Sequence, residues 1–134
     1  MDNEPSSSLG LTTNKDPLIG IVGPCGSGKS TLVAGLEQQG YRGRHIAQEH
    51  SYVKHMWQVI TKPDILIFLQ CSFENSTARR KLNWLLSDYE EQQRRLFHAY
   101  EHAHLIIVTD SLTAQAVLTQ VLSYLKVNFG KLPH

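Results

Sequence analysis

Short apolar runs alternate along the chain with segments whose apolar residues recur at helical spacing. The runs predict four buried strands, at residues 18–22, 44–48, 65–69 and 105–109, of which the second is weakly apolar and suits a sheet edge. Apolar strands that alternate with helices are typical of a parallel sheet covered on both faces. Right-handed crossovers favour the spatial strand order 2-1-3-4. The predicted fold is therefore α/β, a three-layer α/β/α arrangement around a four-stranded parallel sheet.

Capping residues and apolar faces mark the predicted helices. These lie at 31–39, 52–61, 75–81 and 87–103, and a last helix carries an apolar stripe from 117 to 125. Gly40 is expected to end the first helix, because glycine readily adopts the left-handed conformation that follows many helices. Ser72 and Thr113 are predicted N-caps. The S-x-x-E pattern that begins at Ser87 predicts a capping box there.

Length and composition are those of one small domain. The chain has 134 residues, of which 41% are hydrophobic, and we expect a disordered tail at 1–16, a domain at 17–127 and a second tail at 128–134. A formal charge of +1 gives no reason to expect a nucleic-acid partner. No apolar stretch approaches the roughly 18 residues of a membrane span, and no signal peptide is visible. The two distant cysteines fit a reducing compartment, so we expect a cytoplasmic protein.

The octapeptide GPCGSGKS, residues 23–30, matches the pattern G-x-x-x-x-G-K-[ST] between the first strand and the first helix. Its glycines permit a tight turn whose N–H groups point at anionic oxygens, and the positive end of the helix points to the same place. Lys29 should reach the β- and γ-phosphates of a nucleoside triphosphate, and the Ser30 hydroxyl should bind Mg²⁺. The residues expected to bind the nucleotide are Gly23, Gly26, Ser27, Gly28, Lys29, Ser30 and Thr31.

With this loop the chain resembles the P-loop NTPases, and its second half is similar to the small P-loop kinases that act like adenylate, thymidylate or dephospho-coenzyme-A kinase. The segment PDILIFLQ, at 63–70, resembles their late strand, and the segment 104–113 resembles their last strand and the loop beside adenine. The chain departs from these kinases in several ways. It has four predicted strands instead of five, and it has no room between Gly40 and Ile65 for an acceptor domain and a long lid. The strand at 65–69 is followed by Gln70, where many of these kinases have an acidic residue. The resemblance is therefore to a trimmed kinase-like domain.

The resemblance implies roles for residues outside the loop. Arg79 and Arg80 stand where lid arginines of these kinases contact phosphates and neutralise developing charge. The alternative for these arginines is a solvated basic helix face. Asp110 and Thr113 stand in the loop that the resemblance places beside the base. The alternatives for Asp110 are a helix-capping role and a direct contact with the metal, since an acidic residue follows four apolar residues and one spacer there.

Glu49 is the first candidate for an acidic partner of Mg²⁺ or of an attacking water. It follows the predicted strand next to the first one, where related NTPases keep an acidic residue. The alternative is a solvent-exposed loop glutamate. Ligands of parallel sheets bind beyond the carboxyl ends of the strands, so residues 70–72 and 110–113 are also expected beside the loop. Cys25 and Cys71 are expected at this edge of the sheet, and His50 is expected there next to Glu49.

These features predict a Mg²⁺-dependent enzyme that binds a nucleoside triphosphate and hydrolyses its γ-phosphate or transfers it to an unidentified acceptor. The catalytic candidates are Lys29, Glu49, Arg79 and Arg80. No guanine-reading motif is visible, which favours ATP. Two alternatives stay open: a nucleotide-sensing switch or adaptor that acts through a protein partner, and a domain that binds phosphate without catalysis.

Overall fold

The computed structural model describes residues 16–80 and 84–129, without the side chains of Arg79 and Arg80. Within this part of the chain, four strands form one parallel sheet in the spatial order β2-β1-β3-β4, which confirms the predicted order. The strands are β1 (Leu18–Val22), β2 (Arg42–His45), β3 (Ile65–Gln70) and β4 (Leu105–Val108).

Helices connect the strands and pack on both faces of the sheet. The α-helices are α1 (Lys29–Gln38), α2 (Phe73–Arg80), α3 (Leu86–His102) and α4 (Ala114–Asn128). Between β2 and β3 lie a 3₁₀ helix, Gln48–His50, and a π-helical turn, Trp57–Thr61. None of the helices in the described ranges is both long enough and apolar enough to cross a lipid bilayer.

The core lies on both sides of β1 and β3, the two central strands. One side packs against α1 and α4, and its buried members are Ile19, Ile21, Leu32, Leu36, Ile65, Ile67, Leu69, Ile107, Val117, Val121 and Leu125. The other side packs against α3 and the π-helical turn, and its buried members are Val22, Ile46, Trp57, Leu66, Phe68, Leu96 and Ala99. Successive residues of a strand point to opposite faces, so the continuous apolar run in β3 fills both cores.

Two predicted caps are confirmed. Thr113 Oγ1 accepts a hydrogen bond of 3.0 Å from the N–H of Ala116 and caps α4. Ser72 Oγ accepts a hydrogen bond of 3.2 Å from the N–H of Asn75, in the first turn of α2. In both places a side-chain oxygen satisfies an N–H group that has no partner within its own helix.

The predictions for 44–48 and 52–61 are partly wrong. β2 begins at Arg42 and ends at His45, because this polar edge strand is defined by its backbone pairing with β1 and not by an apolar pattern. Only the end of the predicted helix at 52–61 is helical, as a π-helical turn. Of the apolar residues that suggested a helix there, Trp57 is buried, but Val53 and Ile60 are 40% and 75% exposed. A helix without a buried face receives no packing energy.

The predicted capping box at Ser87 is also wrong. Helix α3 begins one residue earlier, at Leu86. Its first turn is capped by Asp88, whose carboxylate accepts a hydrogen bond of 2.9 Å from the N–H of Leu85. An acidic side chain also interacts favourably with the positive end of a helix, and this Asp88 bond sets the start of α3.

Candidate functional site

The loop between β1 and α1 is held in a conformation that suits glycine. Gly23, Gly26 and Gly28 have φ values of 156°, 81° and 100°. A Cβ atom added at Gly23 would lie 2.2 Å from the carbonyl oxygen of Leu69 in β3, which leaves no room for a side chain. The glycine at this position therefore lets the loop pass close against β3 as it leaves β1.

The ammonium group of Lys29 lies inside this loop. The Lys29 side chain is 6% exposed, and its Nζ donates hydrogen bonds to the carbonyl oxygens of Gly23 at 2.8 Å and Pro24 at 3.0 Å. The same Nζ lies 3.0 Å from Oε2 of Glu49. The cation is thus held by two backbone dipoles and one carboxylate at the carboxyl edge of the sheet.

Glu49 is a buried residue, not an exposed loop glutamate. It lies in the 3₁₀ helix that follows β2, and its side chain is 3% exposed. The neighbouring Gln48 holds this segment in place: its Oε1 accepts a hydrogen bond of 2.7 Å from the N–H of Trp57, and its Nε2 donates to the carbonyl oxygens of Val53 and Arg95. Gln48 therefore fixes the position from which Glu49 reaches Lys29.

Two buried polar atoms at this site have no hydrogen-bond partner within the described residues. They are Oγ of Ser27, in the loop, and Oε1 of Glu49. A buried polar group without a partner costs about 1–3 kcal/mol, so such atoms tend to mark a place where an ion, a water or a ligand binds. Both atoms flank the phosphate-binding loop that the sequence predicted.

Two residues that the sequence analysis did not identify hold the tip of the loop. Ser76, fully buried in α2, donates from its hydroxyl to the carbonyl oxygen of Cys25. Gln92 in α3 accepts a hydrogen bond of 3.1 Å from the N–H of Cys25, and its Nε2 lies 3.3 Å from the Cys25 sulfur. These contacts join residues far apart in sequence, and no sequence pattern identifies Ser76 or Gln92 as a partner of the loop.

Two clefts meet at the beginning of α1. One, of about 380 Å³, is lined by loop residues together with Lys29, Ser30, Glu49 and His50. The other, of about 190 Å³, lies between α1 and the segment that leads into α4, with Leu32, Leu112 and Val117 among its lining residues. Gly28 and Thr31 line both clefts. The first, which we call the polar cleft, is the more polar of the two and contains the Lys29 ammonium, and the second, which we call the apolar cleft, is largely apolar.

Asp110 and Thr113 have structural contacts beside the second cleft but do not line it. Oδ1 of Asp110 accepts a hydrogen bond of 2.9 Å from the N–H of Ser72, which links the end of β4 to the start of α2. Thr113 is the N-cap of α4. A role for either residue in nucleotide binding stays a prediction. The side chains of Arg79 and Arg80 lie outside the described residues, so their predicted phosphate contacts stay predictions too.

His45, at the end of β2, lines the polar cleft next to Lys29. Partial burial, followed by the positive charge of Lys29, lowers the pKa of His45 below its ordinary value of 6.5, and Glu49 opposes this effect only in part. The shift favours the neutral form of the imidazole near neutral pH.

Compared with models of protein families and with curated protein sequences, the chain matches none of them.

Proposed function

We propose that the chain is a P-loop NTPase domain that binds a Mg²⁺–nucleoside triphosphate and hydrolyses its γ-phosphate or transfers it to an acceptor. The observation that carries this proposal is the pairing of Lys29 with the buried Glu49, at 3.0 Å, inside a G-x-x-x-x-G-K-S loop that joins a parallel strand to a helix. A buried cation beside a glycine-rich loop at the N-terminus of a helix is a suitable environment for phosphate oxygens.

Lys29 has the central role in this proposal. In the free protein its ammonium is satisfied by the carbonyls of Gly23 and Pro24 and by Glu49. Phosphate oxygens would replace these partners and gain charge-assisted hydrogen bonds. Lys29 would then stabilise the negative charge that develops on the transferred phosphoryl group.

Glu49 and Ser30 are the groups that would hold Mg²⁺. Both are oxygen donors, which is the ligand type that Mg²⁺ prefers, and Oε1 of Glu49 has no other partner in the described structure. When bound, Mg²⁺ neutralises charge on the β- and γ-phosphates. The alternative role for Glu49 is to orient the attacking water or hydroxyl group once its partner Lys29 has turned to the phosphates.

The apolar cleft is our proposed site for the base. Leu32 and Leu112 line it, and Thr31 stands where it meets the polar cleft. A nucleotide that spans both clefts would place its phosphates over the loop and its base against α4. We propose ATP as the preferred nucleotide, since the sequence contains no guanine-reading motif.

The test compares nucleotide binding in the wild type and in Lys29→Met, which keeps the length of the side chain and removes its charge. Isothermal titration with ATP and GTP in the presence of Mg²⁺ should show binding to the wild type and a loss of at least about tenfold in the variant, since charge-assisted hydrogen bonds contribute about 1.5–3 kcal/mol each. Lys126→Met, on an exposed position of α4, is the matched control and should bind like the wild type. Circular dichroism establishes that each variant is folded. Equal affinity in wild type and folded Lys29→Met would overturn the proposal.

The alternative of a nucleotide-sensing switch is favoured by the connection between β2 and β3. Residues 46–64 contain only a 3₁₀ helix and a π-helical turn, so no acceptor-binding unit is inserted there. Formation of nucleoside diphosphate, measured with and without a panel of metabolites, separates the two functions, because a phosphotransferase passes the γ-phosphate to its acceptor and does not release it as free phosphate. A rise in turnover with one metabolite identifies a phosphotransferase, and uniformly slow turnover with a protein partner bound in one nucleotide state identifies a switch.

A further inference from the structure

Three side chains with metal-binding atoms meet at the rim of the polar cleft. They are Cys25, which is half-buried, the buried Glu49 and the exposed His50. One ligand atom from each lies within 4.8 Å of the other two, and the described residues contain no other such group of three. Cys25 comes from the loop after β1 and the other two from the 3₁₀ helix after β2, so the fold brings them together.

The spacing of these atoms is close to that of ligands around one ion. The Cys25 sulfur lies 3.8 Å from Nε2 of His50, and this nitrogen lies 3.7 Å from Oε2 of Glu49. In a tetrahedral Zn²⁺ site with bonds of about 2.0–2.3 Å, two ligand atoms lie about 3.3–3.6 Å apart. The third pair, the Cys25 sulfur and the Glu49 carboxylate, lies within 4.8 Å, so shifts of at most about 1 Å would bring the three donors into coordinating positions.

We propose that Cys25, His50 and Glu49 form a binding site for a transition-metal ion of the Zn²⁺ class. A sulfur, an imidazole nitrogen and a carboxylate oxygen make a donor set that selects Zn²⁺ and its neighbours over Mg²⁺, which prefers oxygen ligands alone. Three protein ligands with one face open to solvent leave a fourth position for water or another small ligand.

The surroundings of the cluster support this assignment. Gln92 is 7% exposed, and its side-chain amide contacts both the N–H and the sulfur of Cys25, which fixes the direction of the thiol. Outer groups of this kind orient ligands in metal sites. Oε1 of Glu49 is buried and has no partner in the described structure, so the carboxylate has unused acceptor capacity, although Oε2, the oxygen 3.7 Å from His50 Nε2, also pairs with Lys29.

The ammonium of Lys29 opposes the ion, because two cations that share one carboxylate repel each other. An ion bound at this cluster therefore weakens the pairing of Lys29 with Glu49. It also occupies the carboxylate that we propose for Mg²⁺. We expect Zn²⁺ and the Mg²⁺–nucleotide complex to exclude each other, a consequence that rests on the proposed function, whereas the metal site itself does not.

The test uses Co²⁺ as a spectroscopic substitute for Zn²⁺, added to the full chain after treatment with a chelator and without nucleotide. Binding at the cluster should give a thiolate-to-cobalt charge-transfer band together with the visible bands of tetrahedral Co²⁺. Cys25→Ser should abolish the charge-transfer band, and Cys71→Ala, at the other cysteine, should keep it. His50→Gln should weaken the binding of Co²⁺ and of Zn²⁺ by at least about tenfold. His55→Gln, at an exposed histidine outside the cluster, is its control and should bind both ions like the wild type.

Absence of the charge-transfer band from the folded wild type, or its persistence in folded Cys25→Ser, would overturn the metal site. A nucleotide titration with and without Zn²⁺ then tests the mutual exclusion. If the band is present and Zn²⁺ leaves nucleotide affinity unchanged, the exclusion is wrong and the metal site stands. If metal-free protein binds no nucleotide, the proposed function fails and the metal site is judged on the cobalt spectra alone.

Discussion

The pair formed by Lys29 and Glu49 gives the sharpest test of the reasoning, because it links the stability of the free protein to the proposed site. Their side chains are 6% and 3% exposed, so each charge is stabilised by the opposite charge of its partner instead of by water. Removing one partner of a buried ion pair costs about 3–5 kcal/mol, because the remaining charge is left buried without compensation. Lys29→Met should therefore destabilise the nucleotide-free protein by about this amount.

Glu49→Gln should cost less. The neutral amide still accepts a hydrogen bond from Lys29, and the ammonium keeps the carbonyls of Gly23 and Pro24. The expected loss is about 1.5–3 kcal/mol, the range for a hydrogen bond to a charged group. In the double variant neither charge remains, so the total loss should be smaller than the sum of the two single losses by about 1–3 kcal/mol.

Urea unfolding followed by circular dichroism, at constant pH and without nucleotide, measures all four free energies of the cycle. Domains of this size are stable by about 5–15 kcal/mol, so the single losses fall within the measurable range. Lys126→Met is the control for the loss of a lysine charge and should change stability by less than about 0.5 kcal/mol. Losses that add to within about 0.5 kcal/mol would refute the reasoning, because the two groups would then not interact.

Three further predictions concern the loop and the helices. Gly23→Ala should destabilise the protein by about 2–4 kcal/mol in urea unfolding, since the added methyl group would overlap β3. Gly28→Ala should cost about 1–2 kcal/mol, because the added atom meets nothing and only the left-handed φ is unfavourable. Equal losses in the two variants would contradict this reasoning. Thr113→Ala should cost about 1 kcal/mol from the lost cap of α4, and Thr113→Ser should keep most of that stability. Burial, and then the neighbouring imidazoles, lower the pKa of His98 below 6.5 in the folded protein. The unfolded chain therefore binds a proton at this residue more readily than the folded protein does, and the free energy of unfolding should fall as the pH falls below 6.5. His98→Gln keeps an acceptor for the indole N–H of Trp57. Its free energy of unfolding should depend less on pH than that of the wild type. An unchanged pH dependence would show that His98 is not the titrating group.

The sequence was sufficient to predict the sheet order because each central strand is an uninterrupted apolar run. The residues of β3 from Ile65 to Leu69 are at most 1% exposed, and such a run fits few other structures. β2 carries no comparable pattern, since its residues are mostly exposed, so its bounds came from pairing with β1 alone. In the segment with Val53 and Ile60 the apolar residues have helical spacing, but the fold offers no surface on which these side chains could be buried, so most of the predicted helix does not form.

The sequence predicts those site residues that follow strands ending at the same edge of the sheet. It does not predict the site residues that α2 and α3 contribute. Glu49 could be associated with Lys29 from the sequence because both follow strands that end at the same edge. Ser76 and Gln92 reach Cys25 from helices that come 51 and 67 residues later, and no local pattern encodes such a contact. Their burial follows from the tertiary packing of α2 and α3, which depends on the whole chain.

The buried position of Glu49 has a consequence for how the proposed ligands must bind. In the free protein its charge is balanced by Lys29, at 3.0 Å. A triphosphate that attracts Lys29 leaves this carboxylate facing a polyanion in a poorly solvated cleft, where like charges repel strongly. The repulsion is relieved only if a second cation accompanies the nucleotide, so nucleotide and Mg²⁺ should bind to this domain as a unit. Under both proposals, Lys29, Mg²⁺ and a softer metal ion would compete for this one carboxylate.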